Sequence, residues 1–443
     1  MKSPQRLAIL NEPDHPARRP HPSRLFVEVT TRCNLRCSMC VKQSSGQAMR
    51  EGHMSAETFA RLAPALPRLD ALVLNGIGEP LLHPHLERFI EAARRAMPEE
   101  GWVGFQTNGQ LLGPRRAQSL AAAGIDRICI SVDATSPEMF EALRGGGRHE
   151  AIEIAAASLH DAGRRRGRPI ALGVEFVAMR DNLDQLPDLV RWAARNQLSF
   201  VIVTHMLPYA DETRRAAAFD TSTDRALELF REWRERAAAD GVDLARYFDV
   251  FMKFRTSPAD ERVIAYVRGM IAHATALGVT LSVERLLGVD EQLHRRVQDT
   301  FAEAAEIARA EGVTLKLPAA APTRARRCAF VEDGGAFVSW DGDVHPCYFL
   351  WHRYDSHAGG LVKHVQPRSF GNVAEQELLA LWSGAPARGF REEVLRYEFP
   401  FCYDCNVALC DYSQPGEFVH DCHVGTVPCG ACFWSTGVFQ CLS

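Results

Sequence analysis

Three cysteines fall close together, Cys33, Cys37 and Cys40, in the run VEVTTRCNLRCSMC. The C-x3-C-x2-C spacing lets one short loop wrap a single centre with three thiolates. A structural zinc or a closed [4Fe–4S] cluster takes four ligands, so three cysteines leave one iron open to another ligand. A Cys3His zinc site completed by His53, His83 or His85 satisfies the same spacing. Nine more cysteines follow residue 327: Cys328, Cys347, Cys402, Cys405, Cys410, Cys422, Cys429, Cys432 and Cys441. Cys129 stands alone and reads as a small core residue. The opening residues contain no apolar signal-peptide stretch, so clustered cysteines read as metal or iron–sulfur ligands rather than disulfides.

Further polar groups recur at the ends of apolar runs. NGIGEPLLHP carries Gly78 and Glu79, QTNG carries Asn108, and CISVDA carries Ser131 and Asp133. Glycine lets the backbone approach a ligand, and a carboxylate suits an ammonium group. Each of these alone is also an ordinary turn.

The elements that must position these groups are legible as a β-α alternation. Apolar strands are expected over 25–30, 71–75, 103–107, 127–132, 170–177 and 200–204. Amphipathic helices are expected over 55–66, 84–97, 115–123, 137–143, 151–162 and 186–196. Six such units imply an α/β fold, a parallel sheet curled into a partial (β/α)6 TIM-type barrel. Its chemistry collects at the C-terminal strand ends, where the motifs fall. Residues 1–24 read as an extended arm and 25–210 as the partial barrel. Residues 211–324 read as a helical segment and end of barrel, with helices over 224–240, 258–277 and 289–311 and short strands over 279–283 and 313–317. Residues 325–443 read as a cysteine-rich module, with a helix over 370–384.

The chain has 443 residues and a formal charge of -4, with 46% hydrophobic and 24% charged residues. This is an ordinary globular balance that gives no argument for nucleic acid. No apolar run reaches the roughly 18 residues of a membrane helix. Cytoplasmic location and no membrane partner are the expectations. Only five of the 51 basic residues are lysine, so arginine clusters such as Arg164, Arg165, Arg166 and Arg168 read as composition bias on a solvated loop.

Taken in order, the motifs resemble the radical S-adenosylmethionine (SAM) superfamily. The resemblance implies that Cys33, Cys37 and Cys40 hold a [4Fe–4S] cluster whose open iron chelates SAM. One electron then cleaves SAM to methionine and a 5′-deoxyadenosyl radical, which abstracts hydrogen from substrate. It implies SAM contacts from Gly78, Glu79, Asn108, Ser131 and Asp133. Two positions depart from the family pattern: Met39 replaces the usual aromatic residue, and Ile77 replaces the first glycine of Gly-Gly-Glu-Pro.

The tail resembles the SPASM extension, which implies two auxiliary [4Fe–4S] clusters. Cys328, Gly342 and Cys347 follow its first half, including an aromatic hairpin ending at Asp341-Gly342. The second half departs. Cys405 and Cys410 are separated by four residues rather than five, Cys422 comes late, and Cys429-x2-Cys432 is an additional pair. Two zinc knuckles would use the same number of thiolates. His345, His420 and His423 read as solvent or supporting histidines rather than ligands.

HMLPY and the tail CGACFWSTGVFQC resemble maturases associated with tungsten-containing aldehyde ferredoxin oxidoreductases. The resemblance implies a protein, peptide or metallocofactor substrate and reduced ferredoxin or flavodoxin as electron donor. A ribosomal-peptide-modifying or sulfatase-type SPASM maturase is the alternative within the family. The 24 residues before the barrel are too few for a leader-binding winged domain. A zinc scaffold or an iron–sulfur electron carrier is the non-enzyme alternative.

Overall fold

The computed structural model describes residues 15–44, 49–405 and 429–442. Its core is one curved sheet. Six short apolar runs supply β1 (Arg24–Val27), β2 (Ala71–Val73), β3 (Trp102–Thr107), β4 (Arg127–Ser131), β5 (Ala171–Ala178) and β6 (Phe200–His205). Then come β7 (Thr314–Lys316), β8 (Gly335–Val338) and β9 (Val344–His345). The spatial order is β7-β6-β5-β4-β3-β2-β1-β8-β9. Every pairing from β7 to β8 is parallel, and β9 folds back antiparallel on β8.

Helices Leu86–Ala96, Pro114–Ala123, Glu150–Arg166 and Leu186–Arg195 cover the outer face. Their apolar stripes and the outward strand residues form one core that includes Leu25, Leu72, Phe105, Ile128 and Leu172. Parallel strands need such crossovers. The inner face is lined by Phe26, Val73, Cys129 and Ile202. Cys129 is thus a buried inner-face residue of β4.

Several expectations need revision. The sheet gains a seventh barrel strand at β7, delivered by helix Glu291–Glu311, which packs on the main core. No strand forms over 279–283. Val279 and Leu281 are instead buried in a satellite helical core with Leu227, Phe230, Val263 and Met270. Ser282 precedes the short helix Val283–Leu287. The run had the right residue types, but no strand edge lies beside it. The helix expected over 55–66 is shorter, Ala56–Ala60, and passes into turns. That over 370–384 is limited to Leu378–Ser383.

The described part of the N-terminal arm is docked, not free. Ala17 is buried, Arg391 Nε donates to its carbonyl at 3.1 Å, and Trp382 Nε1 donates to the Arg19 carbonyl at 2.8 Å. In the tail, β10 (Tyr354–Ala358) and β11 (Leu361–Val365) form a separate antiparallel hairpin. The C-terminal segment runs between β7 and β8, the two strands that do not meet. Ala319, Thr323 and Arg327 donate backbone N–H groups to the carbonyls of Gly437, Thr436 and Ser435 at 2.8–2.9 Å. Leu442 then packs against the inner face. Among the described residues no helix is long and apolar enough to cross a membrane.

Candidate functional site

The three-cysteine loop leaves the C-terminal end of β1 and is pinned from two sides. Arg36 N donates to Gly145 O at 3.0 Å and Ser38 N to Leu143 O at 3.1 Å, which fixes it to the segment after β4. Glu79 N donates to Arg32 O at 2.8 Å, which fixes it to the segment after β2. Glycine is required at both pins. A Cβ on Gly145 would lie 2.3 Å from Arg36 O, and one on Gly78 would lie 2.4 Å from Thr30 O and 2.6 Å from Arg32 O. The Gly-Glu-Pro turn therefore works here as a close-packing device.

Burial pushes all three thiols up, Cys40 to about 11, and each neighbouring sulfur adds to the effect at Cys40. The opposing groups are specific. Leu35 N donates to Cys33 Sγ at 3.5 Å, and Asn108 Nδ2 lies 3.9 Å from the same sulfur. The Arg144 guanidinium favours the Cys37 thiolate by charge and by hydrogen bonding. Metal binding removes such protons, so a half-buried, cation-assisted trio of thiols suits a metal centre.

Asn108 and Asp133 approach this loop, Asn108 at Cys33 and Asp133 through Arg144 at Cys37. Asn108 also donates from Nδ2 to Asn34 Oδ1 at 2.9 Å. Ser131 ends β4, opposite Glu175 of β5. Asp133 is fully buried, accepts from Val177 N at 2.9 Å and pairs with Arg144 at 2.5 Å. Glu79 is buried. Its carboxylate accepts from Leu81 N at 3.1 Å, Thr107 Oγ1 at 2.7 Å and Asn108 N at 2.7 Å. These bonds join the ends of β2 and β3.

Arg144 is absent from the sequence reading. It lies just after helix Pro137–Leu143, and only the fold brings it to Asp133 and Cys37. Also missed is a polar ladder across the lumen. Tyr348 OH donates to Asn75 Oδ1 at 2.8 Å, Asn75 Nδ2 to Gln106 Oε1 at 2.9 Å, and Gln106 Nε2 to Glu175 Oε2 at 2.6 Å. Burial raises the Glu175 carboxyl to about 7. Alternation along β2, β3 and β5 was the available signal, since these residues share the inward register.

Among the histidines proposed for zinc, His83 has both ring nitrogens engaged. Nε2 meets Met54 O at 2.9 Å, and Nδ1 accepts from His85 N at 3.1 Å. That removes His83 as a ready fourth ligand. His345 is buried, with Nδ1 2.9 Å from Arg368 O.

In the tail, Cys328, Cys347, Cys429 and Cys432 line one small cavity, whose other walls include Phe330, Phe349, Phe390 and Trp434. Burial raises all four thiols, Cys328 to about 12, and mutual repulsion between the sulfurs adds to the effect at Cys328, Cys347 and Cys429. Four convergent thiols in an apolar pocket fit a fully ligated [4Fe–4S] cluster. Cys402 lies against the same turn from outside: its Sγ is 2.8 Å from where a Gly430 Cβ would sit. Cys405 follows it, while Cys410 and Cys422, with His420 and His423, lie outside the described residues. Cys441 lines a different cavity, beside Arg24 and Lys316. Among the described residues no group of three or more Cys, His, Asp or Glu side chains closes on a single ion.

Comparison with known proteins agrees with this architecture. Residues 27–193 match the radical SAM superfamily, and residues 328–406 match SPASM, an iron–sulfur cluster-binding domain. The chain thus carries a radical SAM domain followed by a C-terminal SPASM domain and is an enzyme, with SAM and [4Fe–4S] clusters as its cofactors. It is similar to the tungsten-containing aldehyde ferredoxin oxidoreductase cofactor-modifying protein of Pyrococcus furiosus. The two are 27% identical over 425 residues, 94% of this chain and 96% of that one. The GTP 3′,8-cyclase of Streptomyces coelicolor is 31% identical over 188 residues, 41% of this chain and 52% of that one. SuiB of Streptococcus suis, solved with S-adenosylmethionine, shares the fold with a TM-score of 0.50 at 12% identity, over 89% of this chain and 73% of that one.

Proposed function

We propose that the chain is a maturase that modifies a metallocofactor, or the protein carrying it, in the assembly of a tungsten-type metalloenzyme. The observation that carries this reading is near end-to-end similarity to a protein named as a cofactor-modifying factor for such an enzyme. Cys33, Cys37 and Cys40 hold the SAM-binding cluster, which supplies the electron for reductive cleavage of SAM. Arg144 binds the SAM carboxylate, a task suited to its planar donor fork. Asn108 and Ser131 line the same cleft, and Gly78 lets the backbone close on it. Asp133 and Glu79 act through neighbours: Asp133 orients Arg144, and Glu79 holds Asn108. The four-cysteine cavity takes one auxiliary cluster. Cys402, Cys405, Cys410 and Cys422 are assigned to the second, which leaves Cys441 spare. Reduced ferredoxin or flavodoxin donates electrons, and the protein works in the cytoplasm.

The test is anaerobic reconstitution followed by SAM and dithionite. About twelve iron atoms per chain are expected from three four-iron clusters. Replacing Cys33, Cys37 and Cys40 by alanine should remove about four of them and abolish 5′-deoxyadenosine formation. Undiminished cleavage in the triple variant would sink the site assignment. The substrate reading is tested by incubation with the unmatured metalloenzyme or its free cofactor, followed by mass analysis of both. Modification of a peptide substrate alone would favour the peptide-modifying alternative.

A further inference from the structure

Where the C-terminal segment fills the seam between β7 and β8, a cavity of about 340 Å³ remains. Its floor is aromatic, built from Phe26, Phe330, Trp434 and Phe439. Three cations, Arg24, Lys316 and Arg327, line it against one carboxylate, Asp333. Asp333 pairs with Arg24 at 3.2 Å and with Arg327 at 2.7 Å, and Glu332 pairs with Arg327 at 2.9 Å. Lys316 makes no ion pair among the described residues. Arg324 and Arg326 belong to the same run as Arg327, TRARRC, which ends at Cys328. The whole chain carries a formal charge of -4, so this positive rim is a local feature. Ala325, Arg327 and Ala329 are exposed on it. An aromatic floor inside a charged rim is the anatomy of a protein interface, with arginine and tryptophan as its usual anchors. A small anion fits less well, because Asp333 already engages two of the three cations.

We propose that this seam is the docking face for an acidic one-electron carrier protein, which exchanges its electron with the centre in the four-cysteine cavity. The inference rests on the reading of that cavity as a [4Fe–4S] site and of a ferredoxin or flavodoxin as the electron donor. Proximity supports the route. Phe330, Trp434 and Ser435 line both cavities, so a single layer of side chains separates a docked carrier from the cluster. Placement supports it too. Arg24 opens β1 and Gly335 opens β8, which puts the seam at the N-terminal ends of these strands. The loop of Cys33, Cys37 and Cys40 leaves the opposite end of β1, so a carrier on the seam leaves the mouth of the barrel open to SAM and substrate. In the transfer the carrier loses one electron and the cluster gains it, and no bond forms or breaks. A positive rim steers an acidic partner and fixes its register, an effect that salt screens.

The test uses the full-length, anaerobically reconstituted chain with Cys33, Cys37 and Cys40 replaced by alanine, so that only the tail clusters report. Stopped-flow bleaching follows their reduction by a fully reduced acidic flavodoxin and, separately, by dithionite, at low and at high salt. Ala325→Glu/Ala329→Glu adds two carboxylates to the exposed rim. It should slow reduction by flavodoxin about tenfold or more at low salt, and the difference should vanish at high salt. Binding of oxidised flavodoxin, measured by calorimetry, should weaken in parallel. Dithionite needs no docking face and should act at the original rate. Ala92→Glu/Ala122→Glu makes the same charge change on the outer helices and should alter neither rate. An unchanged flavodoxin rate in the rim variant overturns the proposal, as does equal slowing with dithionite or in the outer-helix variant. If the rim variant loses iron, Lys316→Gln decides in its place: slowing by about threefold or more at low salt supports the docking face, and the original rate overturns it. Normal reduction together with slower modification of the unmatured metalloenzyme, when the rim change is made in the complete chain, would assign the face to the protein substrate and overturn the carrier. A triple-alanine chain that takes up no iron overturns the cluster reading itself before any carrier is added. None of the reduction measurements needs the substrate, so they fail or succeed apart from the maturase reading.

Discussion

At the scale of residues, Arg144 is held between Asp133 and Cys37, so in the proposed site one side chain serves both fold stability and ligand binding. Removing one partner of a buried ion pair leaves an uncompensated charge, typically about 3–5 kcal/mol. Arg144→Met should therefore destabilise the protein by that order and weaken SAM binding by about tenfold or more, the loss of one charge-assisted contact. Adding Asp133→Asn, which can still accept from Val177 N, should recover much of the stability and none of the affinity. Urea unfolding and calorimetry separate the two. Glu79→Gln is expected to lower thermal stability as well as SAM affinity, because an amide cannot accept from Leu81, Thr107 and Asn108 as a carboxylate does. Unchanged melting would show that those bonds are idle. Glu175 carries a pH signature. Its folded value, about 7, lies above its ordinary 4.5, so the folded state holds the proton more tightly. Its contribution is harmless below about pH 4.5 and grows into a penalty as pH rises towards 7. Glu175→Gln should match wild type in acid and become relatively more stable across that window, as denaturation at several pH values would reveal. Of these groups only the motif residues were legible beforehand. Arg144 is one arginine among many, and nothing local distinguishes it from the solvated ones.

At the scale of elements, sequence pattern located each of the first six strands, since short apolar runs between amphipathic helices have few other solutions. It did not locate β8 beside β1. Gly335–Val338 reads locally as half of a hairpin, which it also is. Its parallel pairing with Arg24–Val27 spans some three hundred residues and leaves no local mark. The runs 279–283 and 313–317 look alike as text, and only the second finds an open strand edge, at β6. The turns that hold the cysteine loop were visible as glycines, but their purpose was not. Gly145→Ala places a methyl group 2.3 Å from Arg36 O, a contact relieved only by backbone movement. Overpacking of this kind costs about 1–3 kcal/mol. The strain falls on the loop carrying Cys33, Cys37 and Cys40, so the variant should lose iron from the SAM-binding cluster selectively. Retention of the full wild-type iron content with normal SAM cleavage would show that the loop tolerates the shift.

At the scale of the whole molecule, the barrel and the tail are one structure rather than two. The tail contributes β8 to one edge of the sheet, and its last residues fill the gap at the other edge. Tyr348, adjacent in sequence to Cys347, reaches into the lumen and caps the ladder that ends at Glu175. Phe26, Phe330, Phe337 and Tyr348 make a continuous aromatic contact from the four-cysteine cavity to the inner face of β1. The closing segment begins immediately after Cys432, so the cluster proposed for the four-cysteine cavity would anchor it. Small metal-built modules lose their fold when ligands are removed. The double variant Cys429→Ala/Cys432→Ala should therefore loosen the plug as well as the auxiliary site. The readout is hydrogen exchange at the amides of Ala319, Thr323 and Arg327, which donate to the plug carbonyls. Their protection should fall by at least tenfold, while β3 and β4 amides in the main core stay slow. Replacing Cys33, Cys37 and Cys40 should change these amides far less, because the backbone of that loop is pinned to the segments after β2 and β4. Equal protection in wild type and the double variant would mean that Leu442 and Phe439 hold the plug by packing alone.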